Sequence, residues 1–328
     1  MRDVESVVHG CIEYEENYIN TLAPVVIFAY NRPEHLRKTL EALKNNKYAS
    51  DTNVYIYSDG FKETEAGDKE KVDEVRKVSR SVSKDFLSLQ ITERDHNCGL
   101  AYNIIDGVTT VVNRHGKVIV LEDDIVTSPY FLKYMNDGLT IYADDQRVME
   151  VGGFLPQLNK QGLTESFFLP WTTSWGWGTW KRSWDLFERN PEKLIENTTE
   201  KEKYIININD TDKGQWNQVI RNQKKEIYTW AVFFSITVIK NHGLVLYGNK
   251  SMCRNIGLDG SGTNCGNSSV DEIEEISKEP VLNFPDEIKV NTNALDALLV
   301  ENQRKNKERK KEFYKSLPRK IIKKLFGK

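Results

Sequence analysis

Cysteine is scarce in this chain: four in 328 residues (Cys11, Cys98, Cys253 and Cys265), with no CxxC pair and no histidine at zinc-ligand spacing. That scarcity excludes a disulfide framework and a structural zinc site, and it predicts free thiols in a reducing cytosol. Long apolar runs are missing as well. The longest, such as WAVFFSITVI at 230–239, reach about half the length of a bilayer crossing. The opening MRDVESVVHGCIEYEEN is acidic and has no apolar h-region, so no secretory signal is expected and the protein reads as cytoplasmic. Neither sign of charge dominates, and a net charge of −2 argues against a general nucleic-acid binder. The balance is uneven, however: from Arg304 to Lys328 twelve Lys and Arg face two Glu, leaving the rest of the chain acidic. Also absent are internal repeats, a GxGxxG after the first apolar run, a GxxxxGK[ST] and an EF-hand spacing, so the usual dinucleotide, P-loop and calcium-loop readings fail.

What is present is a regular alternation. PVVIFAY (24–30) reads as a buried strand and runs directly into NRPEHLRKTLEALKNN, a helix with Asn31 in the N-cap region, Pro33 in its first turn, and Leu36, Leu40 and Leu43 on one face. NVYIYSDG (53–60), LSLQITERD and VIVL (118–121) read as further strands. GDKEKVDEVRKVSRSV reads as a helix, and so does GLAYNIIDGVTTVVNRHG, with Leu100, Ile104, Val108 and Val111 apolar. TSPYFLKYM should open another helix, with Ser128-Pro129 as its cap signature. Buried strands alternating with amphipathic helices predict an α/β fold with a mostly parallel central sheet and ligand chemistry at the carboxyl ends of the strands. Those ends carry Tyr30-Asn31-Arg32, Asp59-Gly60, Arg94-Asp95 and Glu122-Asp123-Asp124.

Three adjacent carboxylates straight after a buried strand repel one another and resist desolvation, so either a positive partner sits there or the turn is solvated. Oxygen-rich acid clusters at a strand end suit a hard divalent cation that also takes phosphate oxygens. The plainer alternative is an acidic turn before a helix N-terminus. Asp59 is either a turn residue or an acceptor for a base N–H, and Arg32 either a surface charge or a phosphate partner. LPWTTSWGWGTWKRSW (169–184) packs five tryptophans into sixteen positions, as core or as platforms for sugar rings. NIGLDGSGTNCG reads as a surface loop or as one that folds over a phosphate with its backbone N–H groups, Gly260 and Ser261 included.

VVIFAYNRPEHLRKTLEAL, IYSDG, NCGLA and VIVLEDDIVTSPYFLKYM together resemble the nucleotide-sugar half of GT-A-fold glycosyltransferases, nearest the N-acetylglucosaminyltransferase I branch and its bacterial surface-polysaccharide relatives (family 2-like). SWGWGTWKRSW and NIGLDGSGT resemble the second half of those bacterial relatives. The likeness spans about residues 23–267. It implies a nucleotide-sugar-binding half over 23–150 and an acceptor-binding half over 151–298, between a leader over 1–22 and a basic amphipathic tail over 299–328 that composition sets apart. It further implies a UDP-sugar donor, Mn2+ or Mg2+ as cofactor, and inverting transfer to a glycan acceptor, lipid-linked, in O-antigen or capsule synthesis. Asp124 would ligate the metal, Asp123 would sit near metal and ribose, and Glu122 would contact the donor sugar. Asp59 would bind the uracil imide, Tyr30 and Arg32 the nucleotide or its phosphates, and the 256–263 loop would close over the donor.

An inverting transfer needs a base for the acceptor hydroxyl. The family's acid lies near the tryptophan matched here by Trp230, yet Thr229 and Ala231 flank it. Glu226 is the nearest carboxylate, with Asp185 and Asp259 as rivals. In the tail, RKIIKKLFGK groups Ile321, Ile322, Leu325 and Phe326 among lysines, a pattern that suits peripheral attachment to the anionic inner face of the membrane or a frayed terminus. A nucleotidyltransferase and an inactive glycan-binding subunit remain as alternatives.

Overall fold

The computed structural model describes residues 18–260 and 276–316, with side chains to Lys311. The apolar runs become four neighbouring strands, β1 (Val25–Ala29), β2 (Asn53–Ser58), β3 (Ser88–Glu93) and β4 (Lys117–Glu122). Their crossovers are helices α1 (Pro33–Lys44), α2 (Asp68–Ser81) and α3 (Leu100–His115). All pairings in this half are parallel, in the order β3-β2-β1-β4, with Val25 opposite Val54 on one side and Ile119 on the other. Pro33 opens α1, where no intrahelical N–H is needed, and Leu36, Leu40 and Leu43 are buried beneath it. In α3, Ile104, Val108 and Val111 are buried as expected, but Leu100 is exposed because it stands in the first turn at the rim of a cavity.

After β4 the expected helix is preceded by a short strand, β5 (Ile125–Thr127), and α4 begins at Phe131 and runs to Ile141. Ser128 and Pro129 therefore lie in a turn, where the Ser128 N–H donates to the Met252 carbonyl at 2.8 Å. The chain continues through β6 (Val148–Gly152), β7 (Ser166–Leu169), β8 (Trp177–Trp180) and α5 (Lys181–Trp184). Short helices follow, α6 (Pro191–Glu196), α7 (Glu200–Ile206) and α8 (Gly214–Gln223), then α9 (Ala231–Lys240), β9 (Leu244–Gly248), β10 (Cys253–Asn255) and the long α10 (Thr292–Ser316). One eight-stranded sheet results, ordered β3-β2-β1-β4-β8-β6-β9-β7, with β5 and β10 as a separate antiparallel pair. β8 is antiparallel to both β4 and β6, so the carboxyl ends of β4 and β6 lie on the same edge of the sheet.

The apolar core covers both faces of this sheet. Trp171, Trp177, Trp180 and Trp184 are buried; Trp177 stacks on Trp230 at 5.1 Å and touches Phe234 at 5.4 Å. Only Trp175 of the five is half-buried. The run 230–239 is the buried helix α9, and among the described residues no helix is long and apolar enough to cross a membrane. Residues 321–326 lie outside the described residues.

Glu150, in the middle of β6, is fully buried. Its Oε1 accepts the Thr173 N–H at 3.1 Å, and its Oε2 has no partner. Burial raises its pKa well above the carboxylate range, against a smaller opposing effect of the Thr173 hydrogen bond. The folded state thus holds this proton more tightly than the unfolded chain, so the group erodes stability as pH rises above its unfolded value. Glu150→Gln keeps the acceptor for Thr173 without the ionisable group. It should match the wild type near about pH 4 and exceed it by about 1–2 kcal/mol near about pH 8. Denaturant unfolding across that range checks this, and parallel pH profiles for the two proteins would refute it.

Candidate functional site

A cavity of about 330 Å³ opens at the carboxyl ends of β1, β2 and β4, where three of the four polar strand exits meet. β1 delivers Tyr30 and Arg32, β2 Asp59, and β4 Glu122, Asp123 and Asp124; Ile227–Thr229 close it from the second half of the chain. In open parallel sheets this edge is where ligands bind.

The positive partner demanded by the acid run comes from within the chain. The Arg32 guanidinium contacts Asp123 Oδ1 and lies 2.9 Å from Asp124 Oδ2, with both carboxylates buried. Asp123 Oδ2 also accepts the Tyr30 N–H at 3.3 Å. Burial pushes the Asp123 pKa up to about 6, with Arg32 pulling the other way and Asp124 adding to the rise. Glu122 goes up further, from burial first and then from Asp124 and Asp123. The cluster thus sets three carboxyl groups against one guanidinium, in a place where burial resists their ionisation. Asp124 Oδ1 is buried with no hydrogen-bond partner.

The glycine-rich segment reaches these acids at its start. The Ile256 N–H donates to the Asp124 carbonyl at 2.9 Å, and a Cβ on Gly257 would fall 2.2 Å from Asp124 Oδ2 and 2.7 Å from Arg32 Nη1. Only glycine allows that approach. Gly260 adopts a left-handed φ of 84° and is exposed, away from the cavity lining, while Ser261 lies outside the described residues.

Asp59 does something the sequence did not disclose. Its Oδ1 accepts from the N–H groups of Gly60 (2.9 Å) and Cys98 (2.8 Å), and its Oδ2 from Gly99 N–H (2.9 Å) and Asn97 Nδ2 (3.1 Å). A carboxylate has about four acceptor positions, and here the protein fills them. The expected base contact has no acceptor left on Asp59, which instead pins the 97–99 turn that forms the cavity wall. Asp68 was missed altogether, since acids in a first helical turn are commonplace. It is buried and accepts from Tyr30 OH (2.5 Å), Asn31 Nδ2 (2.5 Å) and the Lys62 N–H (2.7 Å). Burial opposes its ionisation, but these donors hold its pKa below the usual carboxylate value. Asn31 is thereby engaged on Asp68, and α1 has no side-chain cap.

The three carboxylates considered as bases stand outside the cavity lining. Glu226 is exposed and pairs with Arg221 at 3.3 Å, although the three residues after it do line the cavity. Asp185 is held by Lys181 Nζ at 2.6 Å on an exposed face. Asp259, two residues beyond Gly257, pairs with His35 of α1 at 3.2 Å.

The donor chemistry suits a divalent cation. Hard carboxylate oxygens are available, one of them buried and unpartnered, and magnesium or manganese is commonly held by one or two carboxylates plus substrate phosphates. Among the described residues no group of three or more His, Cys, Asp or Glu side chains is arranged to hold a metal ion by itself.

No family model matches the chain, and no curated protein matches it. Among solved structures it is similar to a mannosyltransferase, PcManGT from Pyrobaculum calidifontis, in complex with GDP-Man and Mn2+ (TM-score 0.37, 12% identity, covering 68% of this chain and 70% of that one). It is also similar to S. aureus TarS (TM-score 0.40, 12% identity, covering 71% of this chain and 36% of that one). Likeness at this level bears on neither activity nor ligand.

Proposed function

We propose that this chain is a glycosyltransferase that takes a sugar from a nucleotide-sugar donor, specifically a UDP-sugar, and passes it to a glycan hydroxyl. The observation that carries the reading is the buried acid pair with its unpartnered Asp124 Oδ1, set beside Arg32 in a cavity at the carboxyl edge of a parallel sheet. Asp124 and Asp123 would hold Mn2+ or Mg2+, which when bound supplies positive charge opposite a diphosphate leaving group. Arg32 can turn from the acids to phosphate oxygens, since its bidentate fork suits either anion. Glu122, partly open to the cavity, is placed for a hydroxyl of the donor sugar. The Asp68–Tyr30 contact fixes the Tyr30 ring against the same wall.

For the acceptor proton, Asp259 is favoured over Glu226 and Asp185, because its loop already touches Asp124 through Ile256 and Gly257. Inversion, a lipid-linked acceptor, a surface-polysaccharide product, and attachment of the tail to the inner membrane face complete this reading, on the sequence resemblance alone. So does the division into a donor half over 23–150 and an acceptor half over 151–298. The position of all three candidate bases outside the cavity favours one second reading, a sugar-nucleotide-binding subunit without turnover.

Thermal unfolding with a panel of nucleotide sugars, each with Mn2+ and with EDTA, tests the proposal. A ligand of the folded state at hundredfold excess over its Kd stabilises by about 2.7 kcal/mol. One UDP-sugar should raise Tm by several degrees, and only with the metal. If none shifts Tm in either condition, the donor assignment fails; if one shifts it but no nucleoside diphosphate is released in the presence of glycans, the binding-subunit reading takes over. Release of pyrophosphate from UTP and a sugar 1-phosphate would instead identify a nucleotidyltransferase.

A further inference from the structure

A second cleft, of about 190 Å³, lies between α10 and the segments that follow β6 and precede β8. One wall is aromatic: Phe154 and Trp175 pack edge to face with ring centroids 4.5 Å apart, and both are half-buried. The opposite wall is α10, presenting Asn302, Lys305, Asn306 and Arg309 at i, i+3, i+4 and i+7, hence on one helical face. Nearer its start, the same helix buries Ala294 and Leu298 in the core. The packed stripe is therefore apolar where it meets the sheet and turns amide and cationic where it passes the cleft. Packing alone would keep it apolar.

The polar groups of this cleft are directed. Asn302 Nδ2 donates to Thr211 Oγ1 at 3.2 Å and Asn306 Nδ2 to the Thr211 carbonyl, which anchors the helix and fixes both amides. Asp212, the acid of the lining, is already engaged by Gly214 N–H (3.0 Å) and Gln215 Nε2 (2.8 Å). Arg309 makes no ion pair among the described residues and is exposed. Its charge is therefore uncommitted.

The cleft also faces the right way. Phe154 leaves the carboxyl end of β6, on the same sheet edge as the acids after β4, with only β8 between, which places it about 10 Å to the side. It is tied to the acid cluster by β10: the Cys253 thiol reaches the Trp175 carbonyl at 3.2 Å, and Asn255 of the same strand pairs with Ile125, next to Asp124.

We propose that this cleft binds an anionic sugar unit of the acceptor, a hexose bearing a phosphate or a carboxylate. The ring lies against Trp175 and Phe154, and the anion meets Arg309. The C-terminal helix thus acts as an acceptor-site wall, which rests on the glycosyltransferase reading above. Aromatic faces suit the C–H surface of a pyranose, and a guanidinium suits either anion.

The test is ligand-observed NMR titration of the full-length protein in EDTA with glucose 1-phosphate, glucuronic acid, glucose and inorganic phosphate. The two anionic sugars should bind about tenfold more tightly than glucose, the effect of one charge-assisted contact, and about tenfold more tightly than phosphate, which has no ring to lie on Trp175 and Phe154. Arg309→Glu should weaken them by about tenfold, whereas Lys310→Glu, the same charge change one residue along, should not, and saturating UDP should not displace them. Equal loss in both variants, binding of phosphate as tight as that of the sugar phosphate, or displacement by UDP would overturn the proposal. Binding that depends on Arg309 in a protein that gives no nucleotide-sugar shift would sustain the cleft and sink the donor reading; the converse result would sink the cleft alone.

Discussion

Arg32→Ala is expected to cost about 3–5 kcal/mol of stability at neutral pH, the usual penalty for stripping the partner from buried charges. The guanidinium touches Asp123 and Asp124 together, and among the described residues the one further basic side chain of the lining, Lys62, is engaged with Glu65 at 2.9 Å. Without Arg32 the two carboxylates face each other in a desolvated turn, next to Glu122. Asp123 is already raised to about 6 with Arg32 in place, so in the variant it rises further. The sign of the pH dependence follows. A carboxyl raised in the folded state binds its proton more tightly there, so stability is lost as pH climbs from the unfolded value through the folded one. The variant's deficit should therefore be small in mild acid and widen above about pH 6. Arg32→Lys, which restores a charge without the fork, should recover part of it. Urea unfolding at several pH values reads this directly, and a deficit independent of pH would remove Arg32 from its place as counterion. The same variant tests the cation site without any turnover: Mn2+ alone should stabilise Arg32→Ala more than the wild type, because it meets the acids unopposed.

Much of this architecture is legible in the sequence because its physics is local. VVIFA and VIVL are apolar enough to require burial on both faces, NVYIYS is buried on one face and part of the other, and the helices between them carry their stripes at helical spacing, so the parallel half-sheet and the location of its ligand edge follow. Local pattern runs out at β5 and β10. Each is three residues long, too short for any periodicity to register, yet their pairing is what brings Gly257 onto Asp124. The acid run announced that it needed a cation, but nothing local could say that Arg32, 91 residues away, provides one. Asp68 and Asp59 show the same limit in different forms. Both stand at ordinary turn or cap positions, and their roles depend on donors delivered by other segments of the chain.

Asp59→Ala is the second change with a large expected effect, and it separates two readings of one residue. A carboxylate that only awaits a nucleobase could be removed with little change in stability and a selective loss of donor binding. The one described here accepts four hydrogen bonds at 2.8–3.1 Å, three of them from backbone N–H groups, in a site 5% exposed. Its loss orphans those donors at about 1–3 kcal/mol for each that water cannot reach. The turn cannot simply close over the gap, because Gly60 is packed so tightly on His96 that a Cβ there would lie 2.3 Å from backbone. A total cost of about 3 kcal/mol is expected, together with loss of the 97–99 wall and of donor binding. Asp59→Asn should fail almost as badly: in either amide orientation one NH2 group confronts donors where an acceptor is required. Unfolding and nucleotide-sugar titration on both variants decide the matter. If Asp59→Asn is as stable as the wild type while losing only the uridine nucleotides, the carboxylate binds the base after all, and the turn must open to release it.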